Sequence, residues 1–285
     1  MPADNRGLPT INVAEFLYGE AGVELNDPAE LFHEASKLYP SALGRQAAGT
    51  WLLEFDEDIQ VTLARAIKRY IHVPVIQLPP CVLPAASFEA VMRGRRSRRE
   101  FGKDPIPLVS LANVLYATYG VIHETQTSGF PTFAFRTVPS GGALYPLELY
   151  VLVRNVGGVH PGLYHYDPAR HLLEDLRPRV GTEPLEECLV QPEILRDAGA
   201  VIMMTALFWR SRIKYGLRGY RFALIEAGHC AQNALLAGEA LGLAMVPVGG
   251  FIDCKVERLL DVDGVNESPV YLIALGTRAV DRPCP

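Results

Sequence analysis

The sequence predicts a mixed α+β fold, and three observations carry that prediction. Two continuous apolar runs, at 147–153 and 200–207, have the length of buried β-strands. The segment 222–241 is rich in Ala and Leu and apolar on most sides, which is typical of a helix buried in a core or in a subunit interface. Neither GxGxxG nor GxxxxGKS/T occurs, so neither a Rossmann dinucleotide fold nor a P-loop is indicated.

The first part of the chain is predicted to be a mainly helical extension. Asp27 is placed to cap a short helix that follows it, and 59–71 is a second amphipathic stretch. Four prolines within 74–84 exclude a helix there and indicate an extended connector. We therefore divide the chain into an extension at 1–85 and a main domain at 86–285.

Within the main domain, periodicity and turn residues predict the remaining elements. A helix begins after Ser87, and an apolar helical face runs over 107–119 until the next glycine ends it. The stretch 162–174 is predicted to be a β-hairpin that turns at Asp167-Pro168. Further strands are predicted at 246–251 and 269–275.

Composition limits the class of function. The chain has 285 residues, of which 49% are hydrophobic and 21% charged, as in ordinary globular proteins. Its formal net charge of −5 argues against a partner that is a nucleic acid. The five cysteines include no CxxC pair, so neither a zinc ribbon nor a disulfide framework is indicated. Since no signal peptide and no membrane-length apolar run is evident, we expect a cytoplasmic protein without a membrane partner.

The densest charge lies in the motif RRSRREF at 95–101. Alternate side chains of an extended chain share a face, so Arg95, Ser97 and Arg99 are predicted to converge on one ligand. Guanidinium groups bind phosphate through paired hydrogen bonds and stay charged when partly buried. The motif therefore indicates a phosphate-bearing ligand, with a solvated basic turn as the alternative.

The small-residue turn PSGGALYP at 139–146 is a second candidate site. Its Ser-Gly-Gly-Ala core at 140–143 allows backbone N–H groups to approach a ligand closely, whereas a tight loop before a strand is the alternative. Gly249 and Gly250 follow an apolar stretch and allow a similar approach. For that pair alone, a β-bulge or a turn is the simpler explanation.

A metal site is not predicted. Glu226 and His229 lie three residues apart on the predicted long helix, which is a possible spacing for two metal ligands. No third ligand is evident, and a Glu–His pair in an alanine-rich helix is more often a buried polar pair with satisfied hydrogen bonds.

Several motifs, in this order along the chain, resemble those of the nitroreductase-like flavoproteins, and more closely those of the SagB-type (McbC-like) dehydrogenases. They are RRSRREF, PSGGALYPLELYV, GLYHYDP, KYGLRGYRF at 214–222 and EAGHCAQNALLAGEALGLAMVPVGGF. The resemblance covers about residues 86–278, and HEASKLYP at 33–40 is similar to the N-terminal region of the same subfamily.

The resemblance implies a nitroreductase-like FMN fold, with a central, mostly antiparallel sheet flanked by helices, and an intertwined homodimer that binds FMN at its interface. It implies oxidation of thiazoline or oxazoline rings to thiazoles or oxazoles in a peptide natural product. The substrate is then an azoline-containing peptide, either ribosomal or tethered to a carrier protein, and a cyclodehydratase or a nonribosomal synthetase is the expected partner. An NAD(P)H-dependent nitro or quinone reductase and an inactive flavin-binding scaffold stay open as alternatives.

The resemblance also assigns roles to individual residues. FMN contacts are implied for Arg95, Arg96, Ser97 and Arg99, for Pro139, Ser140, Gly141, Ala143 and Leu144, for Gly249 and Gly250, and for Arg278, with Arg282 as an alternative to the last. Lys214 and Tyr215 match the catalytic Lys-Tyr pair of the azoline oxidases, and one of them is expected to be the base. Without the resemblance, an ordinary surface pair at the start of a helix is the simpler explanation, and in a strand the two side chains would face opposite ways.

Overall fold

The structure, a computed structural model, describes residues 27–40, 67–125, 133–177 and 183–279. The chain divides into two units, residues 1–44 and residues 45–285. In the first unit, helix α1 (Pro28–Ala35) begins as predicted after Asp27, whose carboxylate accepts hydrogen bonds from two backbone amides of the first turn. The boundary between domains at residue 85 stays a prediction.

The beginning of the second unit is extended. The stretch predicted at 59–71 lies mostly outside the described residues, and its described part at 67–70 has no helical structure. The proline-rich connector is extended, as predicted. It also contributes a short strand, β1 (Val75–Gln77), which pairs with the main sheet at one edge.

The remaining strands, in chain order, are β2 (Val121–Thr125), β3 (Phe133–Arg136), β4 (Leu147–Val153), β5 (Gly162–Asp167), β6 (Leu172–Arg177), β7 (Ala200–Leu207), β8 (Leu243–Val248) and β9 (Glu267–Thr277). In the described part of the chain, seven strands form one sheet in the order β1-β6-β5-β4-β7-β9-β8. Every neighbouring pair in this sheet is antiparallel, and β2 and β3 form a separate antiparallel pair.

Helices cover both faces of the sheet. In chain order they are α2 (Phe88–Gly94), α3 (Leu108–Tyr119), α4 (Glu183–Glu186), α5 (Phe208–Tyr215), α6 (Arg218–Ala240) and α7 (Asp253–Leu260). In strand β4, Leu147 and Leu149 pack beneath α3 and α6, whereas Tyr150 and Leu152 face the side covered by α7. Because both faces of this central strand are covered, its residues other than Glu148 are apolar, and apolar and polar residues do not alternate along it.

Most predicted elements are confirmed. Strands β4 and β7 have the predicted bounds, and β5 and β6 form the predicted hairpin about Asp167-Pro168. Helix α6 begins earlier than predicted, at Arg218, and β8 begins and ends three residues earlier than predicted. Gly242 explains the second shift, since its φ of 72° lets the chain leave α6 in a tight turn. No helix among the described residues is long and apolar enough to cross a membrane.

Helix α6 is buried on one face and exposed on the other. Its inner face is buried in the core of the same chain, as expected of its Ala and Leu content. On its outer face Leu224 and Ile225 are 44% and 54% exposed, and Gly228 and His229 are exposed beside them. The chain as described therefore leaves one apolar stripe of this helix in contact with solvent.

Candidate functional site

The turn after Pro139 has an unusual backbone. Gly142, Ala143 and Tyr145 have φ values of 66°, 54° and 44°, in the left-handed region that residues other than glycine seldom adopt. The turn is held by a hydrogen bond from the Tyr145 amide to the Ser140 hydroxyl, at 2.9 Å. Strained backbone of this kind clusters at functional sites, so the observed geometry supports the turn as a candidate site.

Lys214 and Tyr215 border this turn. A Cβ atom built on Gly142 would lie 2.8 Å from Tyr215 Oη and 3.4 Å from Lys214 Nζ. The pair forms the end of α5, so the alternative explanation of a surface pair at the start of a helix has the wrong position in the helix. Consecutive residues of a helix project about 100° apart, and both side chains therefore reach the same turn although they are neighbours.

The aromatic ring of Phe222, from the second turn of α6, lies against the same site. It is edge-on to the Tyr215 ring, with 4.9 Å between ring centroids. A Cβ atom on Gly141 would lie 3.0 Å from Phe222 Cδ2, so the turn has little room for a side chain there. Leu144, a predicted FMN contact, is buried, so any contact that it makes to a ligand has to come from its backbone.

A buried carboxylic acid lies beneath the turn. Glu226, on α6, is 2% exposed, and its Oε1 accepts a hydrogen bond of 2.6 Å from the Tyr119 hydroxyl. Burial raises the pKa of Glu226 to about 7, although the hydroxyls of Ser140 and Tyr119 favour the carboxylate. Its Oε2 has no hydrogen-bonding partner among the described residues. Glu226 therefore titrates near neutral pH directly below the Ser140 turn.

Glu226 and His229 do not form the polar pair that the sequence favoured. The His229 side chain is exposed on the outer face of α6, whereas Glu226 points inward to Tyr119. Within the described stretches, no group of three or more His, Cys, Asp or Glu side chains is arranged to hold a metal ion.

The arginine motif forms a second group, at another place in the fold. A cavity of about 450 Å³ is lined by Arg96, Ser97, Arg98, Arg99, Glu100, Arg278 and Ala279. Four predicted residues are thus brought together: Arg96, Ser97, Arg99 and Arg278. Arg282 lies outside the described residues.

The predicted alternation of side chains along this motif is wrong. Arg95 does not line the cavity, and Arg98, which was not predicted, does. The segment is not a strand: its Arg98 amide donates one hydrogen bond, of 2.9 Å, to the Met245 carbonyl of β8. Without a regular pleat, consecutive side chains turn toward one cavity. Arg96 also donates from Nη1 to the carbonyls of Arg93 and Arg95.

Glu239, near the end of α6, holds two arginines of this group. Its Oε2 lies 2.9 Å from Arg278 Nη2 and 3.9 Å from Arg98 Nη2. Sequence reasoning missed Glu239 and Arg98. The available signal was that α6 contains only two acidic residues, Glu226 and Glu239, and a carboxylate in such an apolar helix requires a specific partner.

The two groups lie at different ends of α6. Glu226 and Glu239 are 13 residues apart, which corresponds to about 20 Å along a helix axis. Gly249, by contrast, follows β8 and lies four residues from Met245, or about 13 Å along an extended chain. In one chain, therefore, the arginine group and Gly249 share an edge strand, and the Ser140 turn lies near the other end of α6.

Gly249 and Gly250 are exposed and have room for a side chain. A Cβ atom would lie 4.0 Å from the nearest side-chain atom, of Tyr271, at Gly249, and 3.7 Å from Val190 at Gly250. Neither glycine has a positive φ. The described chain itself thus does not require glycine at these two positions.

The family assignment follows from a comparison with known protein families. Residues 92–277 match the nitroreductase family. The chain belongs to the nitroreductase family. A Methanocaldococcus jannaschii protein named as a nitroreductase, MJ1384, is 38% identical over 204 residues, which are 71% of this chain and 96% of that protein.

Two further relatives of this nitroreductase-family chain are named for the processing of peptides. The microcin B17-processing protein McbC of Escherichia coli is 32% identical over 50% of this chain and 54% of its own length. The trifolitoxin-processing protein TfxB of Rhizobium leguminosarum is 31% identical over 66% of this chain and 53% of its own length. The chain thus spans about half the length of these two relatives. The resemblance to SagB-type dehydrogenases is confirmed.

Solved structures confirm the nitroreductase-like fold. A chain from Anabaena variabilis described as a nitroreductase has a TM-score of 0.68 at 26% identity, over 87% of this chain and 45% of that one. A chain of the E. coli microcin synthetase McbBCD complex with truncated pro-MccB17 bound has a TM-score of 0.54 at 23% identity, over 86% of this chain and 99% of that one. A central antiparallel sheet flanked by helices is therefore shown, as predicted.

Proposed function

We propose that this protein oxidises thiazoline or oxazoline rings of a peptide to the aromatic azoles, with FMN as its cofactor. The observation that carries the proposal is the convergence of Lys214 Nζ and Tyr215 Oη on Gly142 in a strained turn. Similarity to two proteins named for the processing of peptide products supports this choice of substrate.

The lining of the arginine cavity suits the phosphate of FMN. Arg96, Arg98, Arg99 and Arg278 provide guanidinium groups, and Ser97 provides a hydroxyl. Guanidinium matches phosphate oxygens in paired hydrogen bonds. Gly249, about 13 Å along β8, leaves space beside the backbone for a planar ring. When bound, FMN supplies the acceptor of two electrons for the oxidation.

We infer that two copies of the chain complete the site. In one chain, Glu226 beneath the Ser140 turn and Glu239 beside the arginine group are about 20 Å apart along α6. In the proposed twofold arrangement, the turn of one copy lies beside the arginines of the other. The exposed Leu224 and Ile225 on α6 provide an apolar surface for that contact.

The chemistry assigned to this chain is positioning and proton removal. Aromatisation of an azoline removes one hydrogen with two electrons, as a hydride that bound FMN would accept, and a second hydrogen as a proton from the carbon next to the carbonyl-bearing group. Lys214 as a neutral amine, or Tyr215 as a phenolate, accepts that proton. The edge-on Phe222 ring fixes the direction of Tyr215, and the absence of a side chain at Gly142 lets Tyr215 and Lys214 approach the turn closely.

A general nitro or quinone reductase is the second candidate function. The relative named as a nitroreductase, which is 38% identical along 96% of its length, favours it. In that case NAD(P)H and not an azoline is the source of electrons.

The substrate partner and the protein partner also belong to the proposal. A chain of similar fold occurs in the McbBCD complex with a bound propeptide. We therefore propose an azoline-containing peptide as substrate, either ribosomal or bound to a carrier protein, and a cyclodehydratase or a nonribosomal synthetase as the neighbouring enzyme.

Single-turnover reduction under anaerobic conditions tests the function. An azoline peptide is expected to bleach the flavin absorbance and to yield a product lighter by two hydrogens. Bleaching by NADPH but by no azoline substrate would support the nitroreductase function instead. A flavin that neither donor reduces would indicate an inactive scaffold.

Two measurements test the cofactor and the dimer. Mass spectrometry of the ligand released on denaturation is expected to give FMN, and a majority of FAD would contradict the proposal. Light scattering is expected to give a dimer mass for the wild type and a lower mass for Ile225→Glu. Val265→Glu, at an exposed turn away from α6, is the control and should stay dimeric. A wild-type monomer at micromolar concentration would contradict the dimer.

A further inference from the structure

A buried row of charges crosses the sheet on the face opposite α6. His165 of β5 lies between Glu148 of β4 and Glu174 of β6, and all three side chains are buried. Its Nε2 is 3.0 Å from Glu148 Oε2, and its Nδ1 is 2.9 Å from Glu174 Oε2. Burial alone lowers the pKa of His165, but the hydrogen bonds to both carboxylates outweigh it and raise the pKa. Each ring nitrogen lies within hydrogen-bonding distance of one carboxylate.

One end of this row is joined to the candidate catalytic helix. Arg210 of α5 is 4% exposed, and its Nη2 lies 2.6 Å from Glu148 Oε1. Its Nη1 donates a hydrogen bond of 3.3 Å to the backbone carbonyl of Tyr145, in the turn that Lys214 and Tyr215 border. Arg210 and Lys214 are four residues apart and so project from the same side of α5. Arg210 thus ties α5 to both the sheet and the turn.

Residues 68–70, which we call the cover, lie against this row of charges. The Lys68 amide donates to Glu148 Oε1, the atom that also binds Arg210, and the Tyr70 amide donates to Glu174 Oε2, both at 3.1 Å. Lys68 Nζ lies 2.7 Å from Glu267 Oε2. Residues 68–70 therefore bind carboxylates of β4, β6 and β9, although they precede the part of the chain that matches the family.

The buried charge of Glu148 explains why residues 68–70 affect the position of α5. A buried carboxylate is stable only while its partners are in place, and removal of one partner leaves an uncompensated charge. Glu148 has three partners within hydrogen-bonding distance: the Lys68 amide, His165 and Arg210. Loss of the cover admits water to Glu148, which weakens its hold on Arg210.

We propose that residues 68–70 are a positioning element for the catalytic helix. They act through Glu148 and Arg210, which set the place of Lys214 and Tyr215 beside the Ser140 turn. The catalytic part of this inference rests on the proposed function, whereas its structural part does not.

The control residue lies in the same row of charges. Arg170 Nη2 is 2.5 Å from Glu174 Oε1, and its Nε is 2.7 Å from Asp167 Oδ2. Among the described contacts of Arg170, none reaches α5. Arg170→Gln therefore removes a charge from the row without removing the link to the helix.

Trp209 reports the position of α5 without any need for activity. It precedes Arg210 on the helix and is 40% exposed, and the only other tryptophan of the sequence is Trp51. Lys68→Met removes the Nζ contact with Glu267 that holds residues 68–70 in place. In a Trp51→Phe background, this variant and Arg210→Lys are expected to raise acrylamide quenching of Trp209 about twofold, because local loosening admits the quencher. Lys68→Arg, which keeps the cation, and Arg170→Gln should retain the parent quenching.

Steady-state kinetics of the full-length enzyme with FMN bound are the second measurement. Misplacement of a catalytic group by about 1 Å costs on the order of 10²-fold. Lys68→Met and Arg210→Lys are therefore expected to lower kcat by about 10–10²-fold, with KM nearly unchanged, and Arg170→Gln to leave both unchanged. Circular dichroism confirms that every variant compared is folded.

Two results would overturn the proposal. One is unchanged Trp209 quenching in both Lys68→Met and Arg210→Lys. The other is an equal change in Arg170→Gln, which would indicate a general loosening of the row. If the wild type turns over no azoline, the proposed function fails, and Trp209 quenching alone decides the positioning role.

Discussion

The two ends of α6 hold their charged groups in different ways. At the Glu226 end, the turn is strained, its glycines are enclosed by Phe222 and Tyr215, and the carboxyl is buried against Tyr119. At the Glu239 end, arginines line an open cavity of about 450 Å³. The first group is arranged by contacts within the chain, whereas the second leaves charged side chains along a cavity. The difference teaches that the proposed catalytic residues and the proposed cofactor-binding residues occupy separate ends of α6, so that each role can be tested alone.

The largest effect is expected at the pair beside the turn. Lys214→Ala and Tyr215→Phe should retain FMN and the dimer, but the variant that removes the base should lose about 10²–10⁴ in rate. The measurement is anaerobic bleaching of the flavin by an azoline substrate. Lys103→Ala, at an exposed position, is the control. Wild-type rates in both variants would place the base elsewhere.

Glu226→Gln tests the raised pKa of the buried carboxyl through the pH dependence of stability. The folded pKa of about 7 exceeds the ordinary value of 4.5, so the folded state holds this proton more tightly than the unfolded state. The contribution to stability is complete below about pH 4.5 and is lost as the pH rises through 7. It corresponds to about 3 kcal/mol at most.

The free energy of unfolding, measured from pH 4 to 8, should therefore fall less in Glu226→Gln than in the wild type. Parallel curves for the two proteins would show that Glu226 has an ordinary pKa.

Single arginine substitutions test whether the cavity at the Glu239 end of α6 binds FMN. Arg99→Ala and Arg278→Ala should each weaken FMN binding by about 1.5–3 kcal/mol, because each removes a hydrogen bond to a charged group. The ratio of flavin to protein after dialysis measures the loss. Arg93→Ala on the neighbouring helix α2 is the matched control, since Arg93 pairs with Glu89 and does not line the cavity. If both variants retain one FMN per chain, the motif is a solvated basic segment and not a phosphate-binding site.

The smallest effect compares two glycines. Gly142→Ala should destabilise the fold by about 1–2 kcal/mol, because its φ is left-handed and its Cβ would meet Tyr215 Oη at 2.8 Å. Gly250→Ala should leave stability unchanged, because its Cβ would have ordinary contacts. Urea denaturation measures both. A loss of FMN retention in Gly250→Ala alone would support a cofactor contact at Gly250 and none at Gly142. Equal destabilisation of the fold by the two substitutions would show that the two glycines do not differ.

The sequence was sufficient where a local pattern determines the structure. Strands β4 and β7 are mostly apolar runs of strand length, and their bounds were predicted. The motif residues Arg96, Ser97, Arg99 and Arg278 do meet at one cavity. Family motifs, and not periodicity, supplied the candidate roles of Lys214 and Tyr215.

Contacts between distant residues were not predictable from one sequence. Tyr119 and Glu226 are 107 residues apart, and nothing near Glu226 indicates a tyrosine partner. The motif GLYHYDP predicts a strand, but it does not show that His165 binds carboxylates on both neighbouring strands. Arg98 was missed because side-chain direction in an irregular segment depends on its single backbone bond to β8.

The spacing of the two glutamates on α6 has a consequence for the tolerance of this chain to insertions. An extra residue between Glu226 and Glu239 would rotate the C-terminal part of the helix by about 100° and shift it by about 1.5 Å. Glu239 would then leave Arg278 and Arg98, while Glu226 stayed beneath the Ser140 turn. Substitutions on the outer face of α6 leave both contacts in place. We therefore expect this helix to accept changes of residue far more readily than changes of length.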